Sequence, residues 1–325
     1  MGTAMNSLDL DLDLDLNKLG KLGFGGAGIG NLNRAIPDGE ALATVLAAWD
    51  SGIRYFDTAP HYGLGLSEQR LGAVLRDKPR DEFVISTKVG RLLEPSSSGG
   101  QDPEGFDVPA TAHRVWDFSE KGIRRSIEDS LERLGLDHVD IAYLHDPDVH
   151  DLQAGISEAL PALEKLRSEG LVKAIGVGIN SAEAALECVD AADLDLVMLA
   201  GRYTLLEQPG VPLLDRCVAR RTGVVSVGAY NSGLLARPDV SDDAHYNYHQ
   251  APPDVLARAR RLAAVCRDFG VELPTAALQF PLRHPAVVNV TAGATSPEQV
   301  ATNASRMESP VPEELWDALK AAGRD

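Results

Sequence analysis

A tyrosine is a poor base near neutral pH unless an ammonium stands beside it, and this chain offers that pairing. Asp57 and Tyr62 lie where an apolar run, 55–60, gives way to a turn. Lys88 ends a second such run, 83–90, and His145 a third, 140–146. Together they read as a proton-transfer device. Lys88 is the ammonium that stabilises a Tyr62 phenolate, Asp57 the carboxylate that holds Lys88 charged, and His145 the donor that orients a carbonyl or hydroxyl oxygen. Singly, each has a plainer reading: Asp57 as turn former, Tyr62 as packing, Lys88 as surface cation, His145 as the start of a His-Asp-Pro turn. Four at the ends of successive runs are not explained that way. No HExxH, GxSxG or Cys/His cluster supplies a metal site or a nucleophile–base pair, so hydride chemistry on a bound cofactor fits better than hydrolysis.

The elements that must position these residues alternate in two patterns. Strand-like runs cover 22–26, 55–60, 83–90, 140–146, 172–179, 196–202, 224–230 and 287–293. Amphipathic stretches of helical period cover 39–52, 67–76, 120–135, 155–170, 181–193, 210–221, 252–270 and 296–307. Ser67 and Ser181 read as N-caps, and Gly52, Gly135, Gly170 and Gly270 as stops. Eight strand–helix repeats predict an α/β fold, a closed (β/α)8 TIM barrel, with its active site at the C-terminal ends of the strands. Such barrels run to roughly 250 residues. The surplus falls in a Gly/Pro/Ser-rich loop after the third strand (91–119), a loop after the seventh (235–251), and added helical segments at 274–283 and 313–323. No shift in composition splits the chain. Residues 1–17, with Leu and Asp alternating over 8–16, are expected to form a poorly ordered acidic arm, and 18–325 a single domain.

Composition narrows the function classes. The 325 residues carry a formal net charge of −17 and a pI near 4.9, which disfavours nucleic acid and anionic membrane as partners. No apolar run approaches the ~20 residues of a membrane span, and the first residues lack the basic and apolar regions of a signal peptide. Cys188, Cys217 and Cys266 are an odd number in helical segments, which suits reduced thiols and a cytoplasmic protein.

Gly23, Gly25 and Gly28 match G-x-G-x-x-G after Leu22, the form of a Rossmann phosphate loop. They fall within and just past the strand, and no acidic residue closes a second strand ~20 residues on. They read instead as a glycine-lined first loop that gives a cofactor room. A barrel must cradle a pyrophosphate on late loops, and 231–234 and 293–296 suit that.

The order Tyr55-Phe-Asp-Thr-Ala-Pro-His-Tyr-Gly63, Ser67-Glu68, Leu71-Gly72, Ser86-Thr-Lys-Val-Gly90, Ser130 to Gly135 and Leu144-His-Asp146 resembles the aldo-keto reductase superfamily from about Leu22 to Asn303. The resemblance implies a (β/α)8 barrel and a catalytic tetrad of Asp57, Tyr62, Lys88 and His145, with Tyr62 as general acid/base. It implies that Asn180 holds the nicotinamide carboxamide and that Ser232, Gly233 and Leu234 meet the pyrophosphate. Gln299 and Asn303 would lie about the adenosine, and Gly293 and Thr295 would be cofactor contacts from the loop 293–296. Finer stretches at 117–119, 176–180, 201–206 and 246–248 resemble the branch of D-threo-aldose (L-fucose) 1-dehydrogenases and pyridoxal 4-dehydrogenase. That branch oxidises a cyclic hemiacetal to a lactone. Ala200 stands where many relatives carry Gln, and the tyrosine expected to stack on nicotinamide has no clear counterpart among Gly228, Ala229 and Tyr230. No basic residue lies between Thr291 and Asn303, where NADP-preferring relatives place Lys and Arg, so NAD is expected rather than NADP. His61, Trp116, Tyr246 and Tyr248 are candidate substrate contacts, and the long third loop a candidate lid. Two alternatives stay open: an NAD(P)H-dependent carbonyl reductase, and a non-catalytic barrel that binds the cofactor.

Overall fold

The computed structural model describes residues 16–97, 99–247 and 249–323; most of the acidic arm, and Tyr248, lie outside it. Eight parallel strands close into a barrel: β1 (Leu22–Gly25), β2 (Tyr55–Asp57), β3 (Val84–Val89), β4 (Ile141–His145), β5 (Ala174–Ile179), β6 (Leu196–Ala200), β7 (Gly223–Val227) and β8 (Val287–Gly293). Each pairs with its neighbours in chain order, and β8 closes on β1 with Leu22 opposite Val290. The helices that follow them are α1 (Asp38–Asp50), α2 (Leu66–Leu75), α3 (Glu120–Leu134), α4 (Leu160–Ser168), α5 (Ala182–Ala191), α6 (Val211–Arg220), α7 (Pro253–Asp268) and α8 (Pro297–Glu308). Among the described residues, no helix is long and apolar enough to cross a membrane.

The local chemistry of the ends is mostly as expected. Ser181 accepts a hydrogen bond from Ala184 N, and Gly52, Gly135, Gly170 and Gly270 turn left-handed, with φ of 84°, 65°, 75° and 69°. Ser67 is not a cap. It lies inside α2, fully buried, and its hydroxyl ties Thr58 Oγ1 (2.8 Å) to Gly26 O (2.8 Å). β2 and β7 also stop earlier than the apolar runs suggest, at Asp57 and Val227, because the chain turns there to form the rim.

Side chains alternate across each strand, so every second residue enters the barrel. The interior holds Tyr55, Val84, Ile141, Tyr143, Leu196, Met198 and Val225, with Leu19 closing the N-terminal end from the turn Leu16–Leu19. Two tyrosines in that space need a gap opposite them. Gly23 provides one: a Cβ there would lie 2.7 Å from Tyr55 Cδ1 and 2.4 Å from Thr291 Oγ1. Gly28 serves another close approach, since its Cβ would meet Thr295 Cγ2 at 2.9 Å. Gly23 and Gly28 thus serve packing and loop contact, whereas Gly25 at the end of β1 has only ordinary contacts around it.

The third loop is not a free lid. It holds an antiparallel hairpin, Arg91–Pro95 with Ala112–Trp116, and its far turn is bound to the first loop. Asn33 N donates to Gly105 O (2.9 Å), Asp107 N to Asn31 O (2.9 Å) and Ala35 N to Asp107 Oδ2 (3.0 Å). It stands as a fixed wall over the strand ends. A shorter hairpin, His245–Tyr246 with His249–Gln250, marks the seventh loop.

Candidate active site

β2, β3 and β4 are neighbours, so inward residues at their upper ends converge. Asp57 lies opposite Ser86, and Lys88 opposite Tyr143. Lys88 Nζ donates to Asp57 Oδ2 (2.7 Å) and to Thr58 O (3.0 Å), with Asp57 3% and Lys88 2% exposed. Ser86 Oγ donates to the other carboxylate oxygen of Asp57 at 2.7 Å. Tyr62 reaches in from the turn after β2, and Lys88 Nζ sits 4.7 Å from the centre of its ring. The His145 ring stands edge-on to Tyr62 at 5.9 Å. All four residues singled out for proton transfer are therefore brought together.

Burial and charge compete in this cluster. Burial raises the Asp57 carboxyl above its usual range, while Lys88 and Ser86 pull it back. Burial also works against the Lys88 charge, but Asp57 and then Tyr62 more than restore it, and the ammonium is stabilised. For Tyr62 burial prevails: its pKa is raised despite the charge and hydrogen bond of Lys88. Lys88 thus acts in the expected sense without making Tyr62 a phenolate by itself. His145 is held neutral by burial, with Arg91 and Lys88 reinforcing it.

A ring of charged residues, missed in the sequence, surrounds the tetrad. Arg91 Nη2 donates to Asp146 Oδ2 (2.6 Å), and Arg91 Nη1 faces His61 Nδ1 at 3.4 Å. Asp146 lies 3.5 Å from His145 Nε2 and accepts from Asn180 Nδ2 at 3.3 Å, which links the two residues. Arg114 binds Asp102 with both terminal nitrogens and also donates to His61 O (2.8 Å). The signal was local: Asp146 directly follows His145, and Arg91 lies just beyond the end of β3.

The other candidates fall in three places. His61 lies in the wall of the site, against Phe106 at 5.2 Å, with its pKa lowered to about 3, first by burial and then by Arg91 and Arg114. Trp116 stacks on His150 and carries Arg91 on its face at 4.3 Å, so it meets the site through that arginine. Tyr246 donates to Glu207 Oε2 (2.7 Å), which latches the seventh loop to the sixth.

A rim of glycines and left-handed turns lies along the ends of β6, β7, β8 and β1. Gly201 and Gly228 approach each other there; a Cβ on Gly228 would lie 3.3 Å from Gly201 N, while one on Gly293 would meet nothing closer than Gly25 O at 3.8 Å. Asn231, Ser232 and Gly233 are all left-handed, with φ of 46°, 58° and 91°, and the buried Asn231 Oδ1 has no hydrogen-bond partner. The Gly233 and Leu234 amides bond within this turn, to Tyr230 O and Asn231 O, and the Leu234 side chain is buried. At the far end Thr295 N donates to Gln299 Oε1 (2.8 Å), and Asn303 Oδ1 accepts from the Tyr230 hydroxyl (2.8 Å). Tyr230 is thereby committed to the Asn303 end. Arg34 of the first loop also reaches Thr295 Oγ1 (3.2 Å), a cation that comes from far outside the segment 291–303. The open backbone at Gly293 and the unpartnered Asn231 Oδ1 suit a nicotinamide dinucleotide. Among the described residues no group of three or more His, Cys, Asp or Glu could hold a metal, and the three cysteines are buried and free.

Residues 21–324 match the Aldo/keto reductase family. The chain is 52% identical over 306 residues to the D-threo-aldose 1-dehydrogenase of a Pseudomonas species, covering 93% of each. It is 38% identical to the pyridoxal 4-dehydrogenase of Microbacterium luteolum, again covering 93% of each. Among solved structures it resembles an aldo-keto reductase of Bacillus halodurans in its holo form, at 27% identity and a TM-score of 0.75, covering 93% of this chain and 91% of that one.

Proposed function

The chain belongs to the aldo/keto reductase family of oxidoreductase enzymes, and from that premise we propose that it oxidises the anomeric hydroxyl of an aldose hemiacetal such as L-fucose, or of pyridoxal, to a lactone with NAD+. The observation that carries the reading is the buried Asp57–Lys88 pair beneath Tyr62, with His145 opposite. A bound nicotinamide supplies the two-electron acceptor for the hydride leaving the anomeric carbon. Tyr62, as phenolate, takes the hydroxyl proton at its phenolic oxygen, and Lys88 stabilises that phenolate by charge. Neutral His145 donates a hydrogen bond to the substrate oxygen. Asn180 and the turn 231–234 hold the cofactor, and Gln299 and Asn303 lie at its adenosine.

The wall favours a hydroxyl-rich substrate. His61, Arg91, Asp146 and Glu104 offer donors and acceptors beside the tetrad, where a hydrocarbon would leave buried charges facing it. Trp116 stands behind Arg91 as an outer contact, and Tyr246 would approach a substrate from the seventh loop. NAD is favoured because 291–303 holds no basic residue and Gln299 is folded onto its own loop. The free thiols suit a reducing compartment, so we place the enzyme in the cytoplasm.

A specific observation supports a second reading, reduction of a carbonyl by NAD(P)H. Burial keeps the Tyr62 phenol protonated, and a protonated phenol is a proton donor. Nicotinamide reduction with NAD+ and NADP+ against L-fucose, D-arabinose, L-galactose and pyridoxal separates the two. Turnover of one of these with NAD+ supports the dehydrogenase. Silence across the panel points to the reductase, and a preference for NADP+ overturns the cofactor assignment. Tyr62→Phe with near-normal turnover and intact NADH binding refutes the acid/base role.

A further inference from the structure

Beneath the tetrad, the barrel interior holds a polar chain where aliphatic side chains would be ordinary. Ser86 Oγ lies 2.7 Å from Asp57 Oδ1, Tyr55 Oη 3.0 Å from Ser86 Oγ, and Tyr143 Oη 3.3 Å from Tyr55 Oη. Tyr55, Ser86 and Tyr143 are all fully buried. The direction of each bond follows from its end. Asp57 is paired to Lys88 as a carboxylate and can only accept, so Ser86 donates to it. Ser86 has then spent its proton and accepts from Tyr55, and Tyr55 in turn accepts from Tyr143. Three hydroxyl dipoles from three strands point at one carboxylate oxygen.

We infer that Ser86, Tyr55 and Tyr143 form a hydroxyl ladder that partly neutralises Asp57 and thereby lets the Lys88 charge act on Tyr62. This rests on the acid/base role of Tyr62 proposed above. The ladder residues touch neither the phenol nor a substrate, and act as positioning residues through Asp57. Without the ladder, the bare carboxylate offsets more of the ammonium at Tyr62 and makes the phenolate harder to form. Both tyrosines have pKa values raised, first of all by burial, so they stay donors at any working pH. The other charged and titratable groups around the phenol lie above it: Arg91 and Arg114 from the wall, His61 beside it, and His145 with Asp146 on the β4 end. Around the ladder are Asp57 and Lys88 above and Asp195, felt by Tyr143 through charge, at the β6 end. None of these groups is removed when a ladder hydroxyl is deleted.

The test is the pH profile of oxidative kcat in the full-length enzyme. Turnover rises with pH as Tyr62 loses its proton, and Ser86→Ala should move that rising limb up by about half a pH unit or more, a roughly three-fold loss at a pH below the limb. Tyr55→Phe should move it the same way by less, and Ser86→Thr should restore it. The NADH dissociation constant should stay within about two-fold, because no ladder residue touches the residues proposed to hold the cofactor. Ultraviolet titration of the phenol, taken as the difference from Tyr62→Phe, needs no substrate and should shift upward in parallel. Folded Ser86→Ala or Tyr55→Phe protein with an unmoved limb and an unmoved titration overturns the ladder, whatever its stability. If Ser86→Ala does not fold, Tyr55→Phe decides. Wild-type enzyme idle on every substrate would refute the functional reading, and the titration would still judge the ladder.

Discussion

Replacing His61 by glutamine should flatten the acid side of the stability curve. His61 packs on Phe106 at 5.2 Å and faces Arg91 at 3.4 Å. Burial, then the charges of Arg91 and Arg114, lowers its pKa from 6.5 to about 3. An unfolded chain therefore takes up this proton near pH 6.5 while the folded chain refuses it until about pH 3. Because the unfolded state binds more protons in that window, stability rises with pH across it and is lost as pH falls. Each unit inside the window costs about 1.4 kcal/mol for one such group, so His61 alone removes about 2 kcal/mol by about pH 5. Glutamine keeps an acceptor for Arg91 but forfeits ring packing, a loss of about 1 kcal/mol at neutral pH. The two curves should then cross between about pH 5 and 6. Asp57 and Asp146, whose pKa values are raised, titrate in both proteins and leave the difference unchanged to first order. Urea unfolding followed by tryptophan fluorescence, at neutral pH and at successive points down to about pH 5, measures it. A variant less stable by the same amount at every pH would refute the reasoning.

Lys88→Met should lower turnover about a hundred-fold or more and leave the NADH dissociation constant nearly unchanged, as measured by steady-state rates and fluorescence titration. Gly72→Ala should cost about 1–3 kcal/mol or more and lower the melting temperature by several degrees, since the new Cβ would lie 2.0 Å from Leu134 O, a backbone atom of α3. Arg34→Gln should raise KM for NADP+ about three-fold or more while leaving KM for NAD+ within two-fold, because Arg34 is exposed and reaches only Thr295, beside the proposed adenosine contacts.

What could be read from the sequence was what depends on local pattern. The eight repeats, the glycine stops and the strand-end placement of Asp57, Lys88 and His145 all follow from alternation and turn chemistry over a few residues. Ser67 misled because a serine before glutamate at a helix start has the form of a cap, whereas tertiary contacts with Thr58 and Gly26 hold it inside α2. The wall reads as loop in the sequence because its Gly, Pro and Ser content hides the hairpin Arg91–Pro95 with Ala112–Trp116, whose pairing is non-local. Arg91 and Asp146 were visible in principle, next to residues already chosen, but their partners were not. Arg34 and Thr295 are 261 positions apart, and no local pattern joins them. The balance at Tyr62 was likewise out of reach, since it sets burial against charge and burial is a property of the closed barrel.

The Tyr55 ring, the Thr291 hydroxyl and the missing Cβ of Gly23 occupy one shared volume. Substitution at these three positions is therefore not independent. An alanine at 23 becomes acceptable only where both 55 and 291 have shrunk or turned aside, so the three sites should covary across descendants of this fold though they sit on β1, β2 and β8. A lineage that trades the tyrosine for a smaller aliphatic residue and moves the Thr291 hydroxyl aside can regain a side chain on its first strand, and gives up the Tyr55 hydroxyl beneath Asp57 in the same step.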